Sequence, residues 1–270
     1  MYSSSVCIAL YLIALIADNE TMLTLKVTDE LNKLIAGLKG FSQQELMAIT
    51  IKTINASAYD AKYAITRELK SIIKNPTPFT EKAVRVINAK PSRLFADVGF
   101  LDSAGKGTAP SDYLNPLVEG GPRKQKRTEK RLKLILANGE TTFLTPGPSA
   151  RLNKYGNIPA SKYVEVLSYF KLFNETGITM NRSKNSTAKK KIANKFFMVI
   201  PGVDKTAHLS PGIYERRGRG FLKIFNFAKQ PTYSKTYDFY KVGIEYAAQS
   251  FVKNFNYQVQ YVYDKIRNGI

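Results

Sequence analysis

The chain has 270 residues, of which 44% are hydrophobic, so it is long and apolar enough to bury a sizeable core. Its formal net charge of +20 favours an acidic partner: nucleic acid, an anionic membrane surface or an acidic protein face. The single cysteine, Cys7, excludes an internal disulfide, and the single histidine, His208, excludes most zinc, haem and histidine-based acid–base chemistry. We therefore expect no metal and no cofactor. A solvated basic surface without a partner is the alternative interpretation of the charge.

The N-terminus contains an apolar run, Val6 to Ala17, which has the length of a signal-peptide core and is too short to cross a bilayer as a helix. No Lys or Arg precedes it. Because Met22 opens a conventional amphipathic segment, we interpret residues 1–21 as an upstream extension and Met22 as the translation start. A hydrophobic leader or membrane anchor is the alternative.

A long helix is predicted to begin at Ser42-Gln43-Gln44-Glu45, which has the form of a capping box. An apolar stripe at helical spacing follows and ends at Asn75-Pro76-Thr77-Pro78. Small residues at the middle of the stripe, among them Ala58 and Ala61, permit close approach of another element. We expect the helix to lie across a sheet or against the C-terminal helix.

Five strands are predicted from β-branched and aromatic runs, over Lys82 to Ala89, Arg93 to Leu101, Lys195 to Ile200, Gly212 to Arg216 and Phe221 to Phe227. The last two strands flank Arg217-Gly218-Arg219-Gly220 and form a basic hairpin, which is expected at the edge of the sheet that carries the C-terminal helix. The order of elements predicts an α+β fold, in which an antiparallel sheet packs with a long N-terminal and a long C-terminal helix. Residues 22–102 and 195–270 are expected to form this core.

Residues 103–194 are predicted to be a large basic insertion with two short helices. Its basic run spreads positive charge around one of these helices, which favours contact with nucleic acid or with an acidic partner; the residues are Arg123, Lys124, Lys126, Arg127, Lys130 and Arg131. A solvated helix face is the alternative. The second helix is predicted over Ser161 to Phe173.

The hairpin offers a second basic site. Arg216, Arg217 and Arg219 lie at its tip, where glycines let the backbone approach a ligand closely. The same partners are predicted here as for the basic run. A turn that simply needs glycine at a positive φ is the alternative.

The C-terminal segment, Ser234 to Ile270, has one apolar face at helical spacing, and its members include Tyr240, Phe251 and Val262. A second face is too aromatic for plain solvent and is predicted to form a subunit contact; its residues are Tyr246, Lys253, Tyr257, Tyr261 and Tyr263.

Motifs for catalysis are missing from the sequence, which has no Gly-x-Ser-x-Gly elbow, no paired histidine ligands and no cysteine nucleophile with a histidine partner. Carboxylates are few, and although Asp97, Asp102, Asp112 and Glu119 are near one another in sequence, nothing fixes them as a metal-binding set. We expect a protein that is not an enzyme. The alternative is a DNA-binding protein or metal-dependent nuclease of a mobile element.

The order of elements resembles the minor tail protein Z and tail-completion (neck) proteins of tailed bacteriophages. The resemblance rests on the helix phrases Met47 to Ile51 and Ile54 to Ala58, the hairpin phrase Pro211 to Gly218 and the terminal amphipathic helix. It covers residues 22–102 and 195–270, and the insertion between them departs from the shorter relatives.

The resemblance implies a structural virion protein that assembles into a homo-oligomeric ring at the head-proximal end of the tail or in the neck. It implies contact with other neck, tail or portal proteins, non-specific contact with packaged DNA, and no small-molecule substrate. The protein would be located in the virion, and in the host cytoplasm during assembly. The resemblance supplies no catalytic residues.

Overall fold

The computed structural model describes residues 13–18, 22–29, 33, 35, 38, 40–105, 107–136, 143–172, 195–200 and 208–268. The chain forms two compact units, of which unit 1 comprises residues 1–121 and 234–270 and unit 2 comprises residues 122–233. Unit 2 is therefore inserted into unit 1.

The helices with described bounds are α1 (Gln43–Ile72), α2 (Pro78–Glu81), α3 (Pro110–Glu119), α4 (Arg127–Leu132), α5 (Ala160–Tyr169) and α6 (Phe239–Arg267). The strands are β1 (Ile13–Asp18), β2 (Met22–Val27), β3 (Val84–Ile87), β4 (Phe95–Phe100), β5 (Gly121–Pro122), β6 (Phe143–Pro146), β7 (Phe196–Val199), β8 (Gly212–Arg217), β9 (Gly220–Ala228) and β10 (Thr232–Tyr233). Long helices and antiparallel sheets confirm the predicted α+β class.

Helix α1 begins with the predicted capping box. The Glu45 backbone N–H donates to Ser42 Oγ at 3.3 Å, and the Ser42 N–H donates to Glu45 Oε2 at 2.7 Å. These bonds satisfy two donors at the helix start that would otherwise lack a partner. The helix ends at Ile72, slightly before the predicted Pro-containing break.

Helices α1 and α6 pack against each other in antiparallel orientation, as the contacts of Arg67 with Tyr246 and of Asp60 with Asn254 show. Ala58 and Ala61 of α1 are fully buried in the core. On α6, a Cβ added at Gly243 would lie 2.6 Å from Leu23 Cδ2 of β2 and 3.1 Å from Ile65 Cδ1 of α1. A larger residue would require the Leu23 and Ile65 side chains to shift, so glycine favours the close packing of helix and sheet at this point.

The sheet of unit 1 has the strand order β1-β2-β4-β3 and is antiparallel throughout. Leu23, Leu25 and Val98 are buried in the core that the sheet shares with α1 and α6. The edge strand β1 is part of the N-terminal apolar run. Residues 1–12 and 19–21 lie outside the described residues, so the interpretation of Met22 as the translation start stays a prediction.

Unit 2 contains an antiparallel sheet of order β6-β9-β8-β7, with a core that includes Ile213, Phe225 and Leu167. The hairpin of β8 and β9 was expected at the edge of the sheet that carries α6, and this expectation is wrong: its strands are the two central ones of the other sheet. The reason is the short strand β6 of the predicted insertion, which pairs with β9 and so makes β9 a central strand. The local sequence of β6 does not reveal that β9 is its partner.

The borders of the two units consequently differ from the predicted ones. Strands β7, β8 and β9, which the sequence places in the core with residues 195–270, belong to unit 2, while helix α3, which it places in the insertion, belongs to unit 1. The predicted helix over the basic run is only the six-residue α4, and the one predicted from Ser161 begins at Ala160 and ends at Tyr169.

Tyr237 joins the segment before α6 to α1, and its replacement tests this packing. The ring is fully buried and its hydroxyl donates to the Ile65 carbonyl at 2.6 Å. We expect Tyr237→Phe to lower the free energy of unfolding by about 1 kcal/mol through the lost hydrogen bond, and Tyr237→Ala by about 3–5 kcal/mol through the added cavity. Urea denaturation followed by circular dichroism measures both, and the exposed Tyr63→Phe is the control. A Tyr237→Phe variant as stable as the parent protein would contradict the role of this hydrogen bond.

Candidate interaction surfaces

The basic run of unit 2 contains one buried ion pair. Arg123 Nη1 lies 3.0 Å from Glu129 Oε2 and Arg123 Nη2 lies 2.7 Å from Glu129 Oε1. The two residues are 8% and 1% exposed, and the guanidinium also lies 4.7 Å from the centre of the Phe143 ring. Arg123 was predicted to contact nucleic acid or an acidic partner. The structure removes it from that set, because its charge is already paired inside the unit.

Glu129 is held by several donors at once. The Leu144 N–H donates to its Oε1 at 2.9 Å and the Lys126 N–H donates to its Oε2 at 2.6 Å, in addition to the two bonds from Arg123. Burial acts to raise the pKa of Glu129, but the hydrogen bonds from Arg123 and the two backbone N–H groups outweigh burial and lower it. The carboxylate therefore connects α4 to β6.

The remaining residues of the run lie near the surface. Lys124, Lys126, Arg127 and Lys130 are exposed, and Arg131 is half-buried. They surround α4 with positive charge, as the sequence predicts, but on a helix of six residues. Whether this charge meets a partner stays a prediction.

The hairpin tip is a two-residue loop between Arg217 and Gly220, which are paired in register. Gly218 has φ of 57°, a left-handed conformation that favours glycine at the first position of such a turn. Arg216, Arg217 and Arg219 are exposed, and the Arg216 guanidinium carbon lies 4.7 Å from the centre of the Phe197 ring. Arg216 and Arg217 are consecutive residues of β8 and therefore point to opposite faces of the sheet, while Arg219 lies in the turn. Contact of these arginines with a partner stays a prediction.

Beside the hairpin, unit 2 has a cleft of about 340 Å³, which we call the unit 2 cleft; its lining includes Arg151, Ile158, Lys162, Glu165, Glu215 and Arg217. Lys162 Nζ lies 2.7 Å from Glu165 Oε2 and 3.4 Å from Glu215 Oε2. Lys195 also pairs with both glutamates. Of these residues, only Arg217 was singled out from the sequence, because the others are dispersed along the chain and come together only in the folded sheet.

Both lysines contact Glu165. Burial acts to raise the pKa of Glu165, but its hydrogen bonds to Lys162 and Lys195 prevail and lower it. Glu215 is buried, with both lysines as partners. The carboxylates of the unit 2 cleft are therefore neutralised by lysines of the same unit.

Unit 1 carries an aromatic surface along the α1–α6 pair. Tyr246, Lys253, Tyr257 and Tyr261 follow one another in steps of seven, four and four residues, so they share a face of α6. Tyr257 is 65% exposed, whereas Tyr246 is half-buried and accepts a hydrogen bond from Arg67. These four residues therefore lie on one side of α6, and the role of this face as a subunit contact stays a prediction.

Tyr263, the fifth residue predicted for this face, is exposed but lies on another side of the helix. At 100° per residue, the two-residue step from Tyr261 turns the side chain by about 200°. Tyr263 was therefore wrongly placed on this face, because its aromatic character does not reveal the direction in which it leaves the helix.

Helix α1 extends the aromatic surface with residues that the sequence analysis missed. Lys52, Tyr59, Tyr63 and Arg67 repeat the steps of seven, four and four. Lys52 Nζ lies 4.9 Å from the centre of the Tyr261 ring, and Arg67 contacts Tyr246, so both rows border the same side of the α1–α6 groove. We call the residues Tyr59, Tyr63, Tyr246, Tyr257 and Tyr261 the tyrosine strip. The helical spacing of Tyr59 and Tyr63 relative to Lys52 is the sequence signal that could have predicted the part of the tyrosine strip on α1.

Of the four carboxylates considered for a metal-dependent nuclease, Asp97 and Asp102 have arginine partners. Asp97 pairs with Arg93 at 3.0 Å and accepts a hydrogen bond from the Thr24 hydroxyl at 2.7 Å, while Asp102 pairs with Arg85 at 2.9 Å. Among the described residues, no cluster of three or more His, Cys, Asp or Glu side chains is placed to hold a metal ion. None of the helices in this part of the chain combines the length and hydrophobicity of a membrane span.

Replacement of Glu129 tests the buried ion pair. Glu129→Gln leaves Arg123 as an uncompensated buried charge and is expected to lower the free energy of unfolding by about 3 kcal/mol at neutral pH. Because the folded-state pKa of Glu129 is lowered, its contribution is fully present above the unfolded value of about 4.3 and is lost as pH falls through the folded value. The stability difference should therefore shrink in acid.

Chemical denaturation at several pH values measures this effect, and Glu119→Gln, at an exposed carboxyl, is the control. A cost that stays constant from neutral pH to strong acid would refute the assignment of the lowered pKa.

Comparisons with protein-family models, curated proteins and solved structures find no match to this chain.

Proposed function

We propose that the chain is a non-enzymatic structural subunit of a tailed-phage virion, which assembles into a ring at the head-proximal end of the tail and completes the tail or joins it to the head. The observation that carries the proposal is the tyrosine strip on unit 1. The sequence resemblance described above supplies the phage context.

The tyrosine strip has the character of a protein interface. Tyr63 and Tyr257 are 69% and 65% exposed, and Tyr59 and Tyr261 are also exposed. Tyrosine is enriched at protein interfaces, where its ring buries a large area and its hydroxyl finds a polar partner. A row of exposed rings on two long helices is therefore best explained by a second protein surface that covers it.

Basic side chains of α1 hold two rings of the tyrosine strip in a conformation that favours association with another copy of the chain. Lys52 and Arg67 lie against the Tyr261 and Tyr246 rings, and each such exposed cation–ring contact contributes about 0.5–1 kcal/mol. These contacts hold the rings in place before a partner arrives, which reduces the entropy lost on association. A copy of the same chain is the partner that a ring requires.

The charge of the chain is consistent with this location. A net charge of +20 opposes self-association unless acidic groups neutralise it. In a neck or tail ring, packaged DNA or the acidic faces of neighbouring neck, tail or portal proteins would supply those groups, at the hairpin tip and around α4. The protein would thus act in the virion after assembly in the host cytoplasm.

A DNA-binding protein of a mobile element is the second candidate, and the arginines at the hairpin tip favour it. Gel shifts on the purified protein separate the two candidates. Tight DNA binding by a protein that remains monomeric would support the second candidate, whereas a ring that needs no DNA would support the first.

The double variant Tyr257→Ser, Tyr261→Ser tests the proposed interface. Both residues are exposed, so unit 1 should stay folded while association weakens by at least about tenfold, since interface tyrosines commonly contribute more than 1 kcal/mol. Light scattering coupled to size-exclusion chromatography measures the oligomer, negative-stain microscopy shows whether it is a ring, and circular dichroism checks the fold.

The matched control is Tyr155→Ser, Tyr233→Ser, which removes two tyrosines of unit 2 outside the strip. Full assembly of the Tyr257, Tyr261 variant, or equal loss in the control, would count against this placement of the interface. A parent protein that stays monomeric at high concentration would refute the ring itself.

A further inference from the structure

The unit 2 cleft is a preformed concave site inside one compact unit. Its volume of about 340 Å³ is at the lower end of the range of small-ligand pockets, roughly 300–1,000 Å³. Its walls come from β8, β9, the start of α5 and the segment that carries Ser149 and Arg151.

The segment that brings Arg151 to the cleft is fixed to β9. The Gly147 N–H donates to the Ile224 carbonyl at 2.8 Å and the Ser149 N–H donates to the Lys223 carbonyl at 3.1 Å. A Cβ at Gly147 would lie 2.3 Å from the Lys223 carbonyl oxygen, so this close approach requires glycine. The backbone of this wall is thereby held in place without a ligand.

The charge of the cleft is not balanced. Lys162 and Lys195 pair with Glu165 and Glu215, which accounts for both carboxylates. Arg151 and Arg217 also line the cleft, and neither guanidinium has an acidic partner among the described residues. A surplus of two positive charges therefore remains, carried by the side chains best suited to bind an anion through two parallel hydrogen bonds.

The other walls of the cleft favour an anion with an attached organic group. Half-buried Leu222 and small exposed parts of Ile158 and Ile224 supply the apolar part of the lining, while Ser149 and Ser161 add hydroxyl groups. Apolar walls with a few polar groups are typical of pockets that bind organic ligands. A bare inorganic anion would leave the apolar wall unused.

We propose that the unit 2 cleft binds a nucleotide phosphate, with Arg151 and Arg217 on the phosphate oxygens and the apolar wall against the attached nucleoside. The phosphate comes either from a free mononucleotide or from a nucleic acid strand, since both present the same group. This inference does not rest on the proposed ring, because all lining residues belong to unit 2 of a single chain.

The test is a binding measurement on the full chain with two probes, adenosine monophosphate and a short fluorescein-labelled oligothymidylate. The double variant Arg151→Gln, Arg217→Gln loses two phosphate contacts. Its affinity for the oligothymidylate should fall about 20-fold at roughly 0.1 M salt. The slope of log affinity against log salt concentration should become less steep by about 1.4. If a free nucleotide is the source, the variant should also lose binding of adenosine monophosphate, measured by calorimetry.

Lys154→Gln, Lys229→Gln is the matched control, since it removes two exposed positive charges of unit 2 that do not line the cleft. Both double variants are checked by circular dichroism and for oligomeric state, so that loss of binding is separated from loss of fold or of assembly. Loss of binding in the cleft variant but not in the control supports the proposal. If only oligothymidylate binding is lost, the ligand is a nucleic acid strand; if adenosine monophosphate binding is lost, the ligand is a free nucleotide. Absence of binding of both probes, or equal loss in the control variant, would overturn it.

Discussion

The close packing of α1 against α6 is the contact on which unit 1 depends. Small residues accompany this packing: Ala58 and Ala61 of α1 are fully buried, and Leu23 of the sheet and Ile65 of α1 approach Gly243 of α6 closely. The larger apolar residues to either side then fill one continuous core. The same packing sets the two rows of tyrosines beside each other, so the aromatic surface on the outside is a consequence of small side chains on the inside.

In unit 2, the buried carboxylate of Glu129 has a comparable organising role. Glu129 accepts hydrogen bonds from Arg123 and from the backbone of Leu144, and thereby fixes both the entry segment of the unit and strand β6 to α4. A helix of six residues has little stability of its own. Glu129 thus neutralises the buried cation of the basic run and holds the backbone of α4 and β6 together.

Local patterns in the sequence predicted the elements better than their partners. The capping box at Ser42, the long α1, the hairpin around Gly218 and the terminal helix are visible because each depends on residues a few positions apart. The sheet to which the hairpin belongs depends on β6, a four-residue strand far from β9 in sequence. Local sequence does not reveal that β6 pairs with β9, and so the hairpin was assigned to the wrong sheet. Ion pairs across the fold, such as Lys195 with Glu215, have no signal at short range.

The candidate surfaces likewise divide into features that local sequence reveals and features that depend on contacts between distant residues. Three arginines at one turn could be read directly, whereas Arg151 joins Arg217 only through the folding of unit 2. Four residues of the predicted aromatic face share one side of α6, whereas Tyr263, which residue type alone groups with them, lies on another side of the helix. Arg123 was misassigned for a related reason, since positive charge in a basic run does not reveal which cation is paired.

Insertion of unit 2 into unit 1 affects the order in which the chain can fold during synthesis. Unit 2 is continuous in sequence, whereas unit 1 needs both its first 121 residues and the segment from residue 234 onward. All of unit 2 is therefore synthesised before α6, and during that interval α1 lacks the packing that α6 supplies, such as that of Gly243 beside Ile65. Because α1 and α6 are far apart in sequence, their contact cannot form until α6 has been synthesised, and apolar surface exposed in that interval favours aggregation.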